Sequence, residues 1–242
     1  MSKTKHIMIA QFKILGKDSL MLFLLIYPII LTIVGRLCIP MITESLLPTF
    51  DFSLHYGALM AFFVVMNPIV FGAIMGLSIL DERESNVIHA IQVLPMNFSQ
   101  YILAKSILFT VLSIISGMII TDLVNLYDVP LLMSFFINLV SSCGVFFGMV
   151  IINLFATNKV EGFATMKMTG FLLIIPVVGM YLAKPFSYLC ALAPAYWPTM
   201  VLASYSKQNI GEINAILFLV IGFLYINILS YFMYRLFMKK IK

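Results

Sequence analysis

The sequence predicts an all-α integral membrane protein with six transmembrane helices, because its composition is apolar, its charge is low and its length fits six spans. Of 242 residues, 62% are hydrophobic and only 10% are charged, and the mean hydropathy is +1.06. A soluble domain carries about 25% charged residues, so a soluble core would not hide this much apolar surface. A helix crosses the bilayer with about 20 apolar residues. The chain therefore fits about six spans in one transmembrane domain, residues 1–242.

Six apolar stretches give the predicted spans. A basic segment, residues 1–18, precedes them, and its four lysines alternate with apolar residues near helical spacing. This pattern predicts an amphipathic helix lying on the membrane surface, with a frayed basic tail as the alternative. The predicted spans cover residues 19–42, 56–80, 104–124, 131–155, 164–183 and 213–236.

A shorter apolar stretch lies between the fifth and sixth spans, within the extracytoplasmic segment 184–212. Pro185, Pro194 and Pro198 interrupt it. We expect re-entrant or interfacial half-helices here, since irregular backbone survives at membrane depth only under a cover of protein or inside a wet cavity.

The distribution of Lys and Arg predicts the orientation. Alternate connections, starting with the N-terminal segment, contain twelve basic residues, whereas the other three connections contain two. Positively charged loops stay in the cytoplasm. Both termini are therefore predicted to be cytoplasmic in a multi-pass protein of the cell membrane. The basic residues lie at the ends of spans, which argues against a nucleic-acid partner despite the net charge of +5.

Four consecutive charges, Asp81-Glu82-Arg83-Glu84, follow the second span and open a polar cytoplasmic loop, residues 81–104. Residues 85–93 predict a short amphipathic helix, and Pro95 permits a new helix with Asn97 or Ser99 as its N-cap. A rigid protruding element of this kind suits docking to a soluble partner. The alternative is that the charges only end the second helix at the water boundary.

This loop resembles the loop after the second span of ABC-2 type permeases, the membrane subunits of one class of ATP-binding-cassette exporter. Their pattern reads E-R-E-x-G-T, then a short helix, a Pro, a Tyr and a basic residue. Asn86 and Val87 replace the usual Gly and Thr of this pattern. Two features elsewhere in the chain also fit the family, namely a Glu161-Gly162 step and the broken helices before the last span. The matching residues are Glu82, Arg83, Glu84, Pro95, Tyr101 and Lys105.

The resemblance implies that the loop holds a coupling helix, on which a separate ATPase docks. Two permease chains, identical or siblings, would form one exporter with two ATPase subunits. Its cargo would be a hydrophobic or amphipathic peptide, antimicrobial or drug, moved out of a cell that is expected to be bacterial. The residues that the resemblance and the loop pattern assign to docking and coupling are Glu82, Arg83, Glu84, Val87, Ile88, Ile91, Pro95 and Glu161.

Nucleotide chemistry is not expected in this chain. The P-loop pattern G-x-x-x-x-G-K-[ST] is absent, since the only Gly-Lys pair, Gly16-Lys17, precedes Asp18 and lacks the upstream Gly. We therefore expect no cofactor here, with ATP and Mg²⁺ bound by the partner ATPase. The histidines and cysteines predict no metal or catalytic site. A passive six-span channel or scaffold, and an integral-membrane enzyme, are the alternatives.

Polar residues inside the spans are candidates for a substrate path. The amides Asn67, Asn138 and Asn227 either line that path or bridge helices, at about 1 kcal/mol each. Arg36, near the outer end of the first span, either snorkels to the headgroups or meets an anionic group, with Glu44 as the partner candidate within the chain.

Overall fold

The computed structural model describes residues 19–47, 49–85, 87, 98–124, 126–183, 185–206 and 214–241. Six helical segments in this part of the chain are long and apolar enough to cross a membrane, which confirms the predicted fold class. We name them span 1 to span 6. The predicted surface helix (1–18), residues 207–212, and Ile88, Ile91 and Pro95 lie outside the described residues.

Three of the six spans contain a change of helix type or a break. Span 1 comprises helix Ser19–Ile33, a π-helical turn Val34–Cys38 and helix Ile39–Leu46; span 2 is helix Tyr56–Glu84, preceded by the 3₁₀ turn Phe52–His55; span 3 is helix Phe98–Val124. Span 4 comprises helices Leu131–Ser142 and Gly144–Phe155; span 5 comprises helix Lys159–Thr169, the 3₁₀ turn Gly170–Leu173 and helix Ile174–Tyr181; span 6 is helix Ala215–Ile241.

Span 2 is the centre of the bundle. Of its most apolar window, 78% is buried, compared with 17% for span 5 and 22% for span 6. Gly72 permits a close approach of span 2 to span 4, because a Cβ on Gly72 would lie 2.7 Å from the carbonyl oxygen of Val145. Because only a small part of spans 1, 5 and 6 is buried, these spans present wide apolar faces to their surroundings.

The stretch between spans 5 and 6 is broken, as predicted. A 3₁₀ segment, Phe186–Leu192, precedes the short helix Tyr196–Ser204. All residues of that helix except Trp197 and Ser204 are buried or nearly so, since it packs against spans 2, 4, 5 and 6. Protein therefore covers its irregular backbone, as a re-entrant segment requires.

Contacts between loops assign them to two ends of the bundle. One end holds the connections between spans 2 and 3 and between spans 4 and 5, and we call it the basic end. The connections between spans 1 and 2, 3 and 4, and 5 and 6 lie at the opposite end, because successive spans of the bundle run in opposite directions. The contacts at that opposite end include Thr43–Tyr56, His55–Tyr181 and Tyr127–Leu202.

Candidate functional site

The candidate coupling site lies at the basic end, where helices extend into the predicted loop from both sides. Span 2 continues to Glu84, and span 3 already begins at Phe98 rather than near residue 104. The four charges therefore occupy the last turn of a helix. This last turn is stabilised by contacts with neighbouring spans, because Asp81, Glu82 and Glu84 each have a hydrogen-bonding or charged partner there, as described below.

A buried ion pair joins span 2 to span 3. Lys105 Nζ lies 2.7 Å from Glu82 Oε1, and the two side chains are 0% and 7% exposed. Removing two charges from water is costly, and a buried pair persists only when further hydrogen bonds satisfy it. Those bonds are present here, and they come from both helices.

Ser78 and Tyr101 complete this cluster. Lys105 Nζ donates to Ser78 Oγ at 2.7 Å, and the Tyr101 hydroxyl donates to Glu82 Oε1 at 2.7 Å. The ammonium also lies 5.6 Å from the centre of the Tyr101 ring, within cation–π range. Ser78 and Glu82 are four residues apart on one helix, and Tyr101 and Lys105 four apart on the other, so each pair shares one face. The cluster fixes both ends of the connection between spans 2 and 3.

A second set of contacts joins the end of span 2 to the start of span 5. Glu84 Oε1 accepts from the backbone N–H of Lys159 at 3.0 Å. Lys159 Nζ lies 3.5 Å from Asp81 Oδ1, in a more exposed pair. A carboxylate beside the first N–H groups of a helix also interacts favourably with the helix dipole. Movement of the charged turn is thereby linked to span 5 as well as span 3.

Glu161 lies at the same junction, in the first turn of span 5. Asn158 is the N-cap, because its Oδ1 accepts from the Glu161 N–H at 2.9 Å. Glu161 Oε2 in turn accepts from the Thr157 N–H and hydroxyl, at 2.7 and 2.8 Å. These reciprocal bonds resemble a capping box. They hold an exposed carboxylate next to the contacts of Glu84.

The other predicted docking residues have different surroundings. Arg83 is half-buried, and its Nη1 has no hydrogen-bond partner among the described residues. Val87 is 42% exposed. Glu82 faces the interior of the bundle, so its carboxylate braces the helices, whereas Glu84 and Glu161 remain at the surface. Contact of these residues with an ATPase stays a prediction.

Asn67 is the centre of a polar network inside the bundle. Its Oδ1 accepts from the hydroxyls of Tyr27 and Ser116, each at 2.6 Å, and its Nδ2 donates to the carbonyl oxygen of Ser113. Ser113 also shares a hydrogen bond of 2.8 Å with Ser142. The network therefore joins spans 1, 2, 3 and 4.

Of the other candidates for a substrate path, Asn138 lies beside Asn67 at Gly117 of span 3, whereas Arg36 and Asn227 lie elsewhere. Asn138 is buried and bridges to Thr121 Oγ1 at 3.1 Å. Arg36 donates to the carbonyl oxygen of Leu123 at 3.2 Å, at the end of span 3, and forms no ion pair with Glu44 within the described residues. Asn227 is exposed on span 6. Asn67 and Asn138 thus bridge helices in this chain, while Asn227 faces outward.

The ion pair was the part of the site that sequence reasoning missed. In the sequence, Lys105 and Tyr101 are only positions of the loop motif, and no pattern distinguishes Ser78. The available signal was a lone lysine inside an apolar run, four residues after a tyrosine and near an acidic cluster. An isolated charge within a span needs a partner, and Glu82 was the carboxylate on the adjoining helix.

Comparisons with known proteins identify the relatives of this chain. The family model described as "Fluoroquinolones export permease protein Rv2686c-like" matches residues 11–234. Two curated relatives are the fluoroquinolones export permease proteins MT2760 and Rv2686c, from Mycobacterium tuberculosis strains CDC 1551 / Oshkosh and H37Rv respectively. Each is 26% identical to this chain over 188 residues, and the match covers 75% of this chain and 74% of the relative. No solved structure matches. These matches are consistent with the ABC-2 resemblance and confirm the prediction of an export permease.

Proposed function

Because the chain belongs to the Rv2686c-like family of fluoroquinolone export permeases, we propose that it is the membrane subunit of an ATP-driven ABC exporter. A separate ATPase binds ATP and Mg²⁺ and docks on the connection between spans 2 and 3 at the basic end. Two permease chains form the transporter, and the basic end and both termini face the cytoplasm of a bacterial cell.

The observation that carries this proposal is the double attachment of the charged turn. The Glu82–Lys105 ion pair links it to span 3, and the Glu84–Lys159 contact links it to span 5. A force applied by an ATPase to this connection therefore reaches three spans at once. A passive channel or scaffold has no need of such a brace on one polar connection.

The proposed substrates are amphipathic aromatic drugs. The curated relatives are named for fluoroquinolones, and the chain is rich in adaptable apolar side chains, with 17 Met and 21 Phe. Hydrophobic peptides are the second substrate class that the loop resemblance implies.

Co-purification with a P-loop ATPase tests the proposal. We expect the wild-type permease to retain the ATPase and to stimulate hydrolysis, and inverted vesicles containing both to accumulate a fluoroquinolone only with ATP. Glu84→Ala should weaken both association and stimulation. Glu44→Ala removes an exposed carboxylate from the opposite end and should change neither.

The rival functions predict different results. A passive channel would equilibrate the drug across vesicles without ATP and without a retained ATPase. A scaffold would neither transport the drug nor stimulate hydrolysis. Either outcome would contradict the proposed function, as would equal effects of Glu84→Ala and Glu44→Ala.

A further inference from the structure

A shallow pocket of about 490 Å³ opens on the outer surface of the bundle between spans 3 and 6. Both spans pack against span 4, whose residues Cys143 and Phe146 contribute to the lining. The two walls meet near the basic end, where the Tyr234 hydroxyl of span 6 donates to Ser99 Oγ of span 3 at 2.9 Å. The pocket shares no residue with the ion-pair cluster or with the Asn67 network.

The surface that this pocket offers is mainly apolar. Leu103 and Tyr231, on opposite walls, are 60% and 57% exposed. The polar groups of span 6 are turned to the protein, because Asn227 Nδ2 donates to the carbonyl oxygen of Phe223 at 2.8 Å and the Ser230 hydroxyl is buried. Apolar surface is covered most favourably by hydrocarbon, so this lining fits an acyl chain better than it fits a polar solute.

The length of the pocket matches one leaflet of the bilayer. Ser99 lies in the first turn of span 3, and Thr110 lies eleven residues later, which is about 16 Å along a helix. One leaflet supplies half of the hydrocarbon core, which is about 15 Å. The pocket therefore extends from the membrane surface at the basic end to the middle of the bilayer, as an acyl chain does.

Positive charge lies at the basic end of the pocket. Arg235 does not line the pocket, but its guanidinium lies 5.7 Å from the centre of the Tyr231 ring, which does. Lys239 follows one turn later on the same face of span 6, and both cations are exposed.

No carboxylate balances these two cations within the described residues, since neither takes part in an ion pair there. Spans 3, 4 and 6, which form the pocket, contain a single carboxylate, Asp122, at the far end of span 3. Basic residues at a membrane surface attract anionic lipid headgroups. An apolar pocket with uncompensated positive charge at its surface end thus matches both parts of an anionic lipid.

We propose that the shallow pocket binds one anionic phospholipid from the leaflet at the basic end. One acyl chain lies in the pocket against Leu103 and Phe146, and the phosphate lies beyond Tyr231, within reach of Arg235 and Lys239. The lipid fills the gap between spans 3 and 6 and joins their ends. It is a structural ligand rather than the exported compound, so the site does not depend on the proposed function.

Native mass spectrometry of the purified full chain tests the choice of lipid. The chain is incubated in micelles with equal amounts of phosphatidylglycerol and phosphatidylcholine carrying the same acyl chains, and we expect it to retain one phosphatidylglycerol in preference. Arg235→Gln should reduce that preference about fivefold, the equivalent of about 1 kcal/mol for one basic residue at an anionic surface. Lys167→Gln is the control, because Lys167 is an exposed cation of span 5 outside the pocket, and it should leave the preference unchanged.

A second pair of variants tests the position of the acyl chain. Thr110→Phe places a ring in the deep end of the pocket and should reduce retention of both lipids. Val111→Phe adds the same ring at the next residue, which is 46% exposed and does not line the pocket, and retention should remain as in the wild type. Added phosphatidylglycerol should also raise the Tm of the wild type and of Val111→Phe more than that of Thr110→Phe.

Four outcomes would overturn this assignment. The first is equal retention of the two lipids by the wild type, which would show only general contact with the bilayer. The second and third are equal effects of Arg235→Gln and Lys167→Gln, or of Thr110→Phe and Val111→Phe. The fourth is the formation of disulfide-linked dimers by a Leu103→Cys variant that lacks the three native cysteines, which would place a second copy of the chain over the pocket.

Discussion

Lys105 is fully buried in span 3, and its ammonium lies 2.7 Å from the Glu82 carboxylate of span 2. Breaking such a pair leaves one uncompensated buried charge. We therefore expect Lys105→Met to lower the free energy of unfolding by about 3–5 kcal/mol, measured by denaturant titration of the purified protein in mixed micelles.

The matched comparisons are a double variant and a surface lysine. Glu82→Gln combined with Lys105→Met removes both charges, so most of the lost stability should return. Lys159→Met breaks a pair whose side chains are 28% and 48% exposed, and exposed pairs contribute about 0–1 kcal/mol. Equal losses for Lys105→Met and Lys159→Met would show that the buried pair does not brace the bundle.

Gly117 marks a position where span 3 has no room for a side chain. A Cβ there would overlap Asn138 Oδ1 and lie 3.0 Å from Asn67 Nδ2. Gly117→Ala should therefore displace the amides that connect spans 2, 3 and 4, with a loss of about 1–3 kcal/mol. Gly170→Ala is the control, because nothing lies within 4 Å of its added Cβ. A thermal shift assay showing no difference between the two variants would contradict this packing.

Sequence reasoning found the elements that depend on local composition. Six apolar runs, the broken stretch before span 6 and the alternation of basic loops each follow from residues close together in the chain. Helix ends were less well predicted, because the charged turn at Asp81–Glu84 is helical and its carboxylates contact spans 3 and 5, which lie far away in the sequence. The shallow pocket between spans 3 and 6, lined in part by Thr110, Asn227 and Ser230, was not predicted, since these residues come together only when spans 3 and 6 pack on span 4.

The buried amide of Asn67 and the exposed amide of Asn227 should contribute differently to stability. Asn67→Leu removes the acceptor of the Tyr27 and Ser116 hydroxyls, and we expect a loss of about 1–2 kcal/mol in unfolding free energy. Asn227→Leu should cost less than about 0.5 kcal/mol, because Asn227 is exposed on span 6. Both losses are measured by denaturant titration of the purified protein in mixed micelles. Equal losses for the two variants would show that the hydrogen bonds of Asn67 do not hold the spans together.

Thr157 and Thr49 report on opposite ends of the bundle, and both are exposed. Thr157 precedes span 5 at the basic end, whereas Thr49 lies in the connection between spans 1 and 2. With the three native cysteines replaced, we expect a membrane-impermeant maleimide to label a Thr49→Cys variant in intact cells. A Thr157→Cys variant should be labelled only after permeabilisation, because positively charged connections are retained in the cytoplasm. The reverse pattern would put the charged turn outside the cell, where no cytoplasmic ATPase can reach it, and the proposed coupling mechanism would fail.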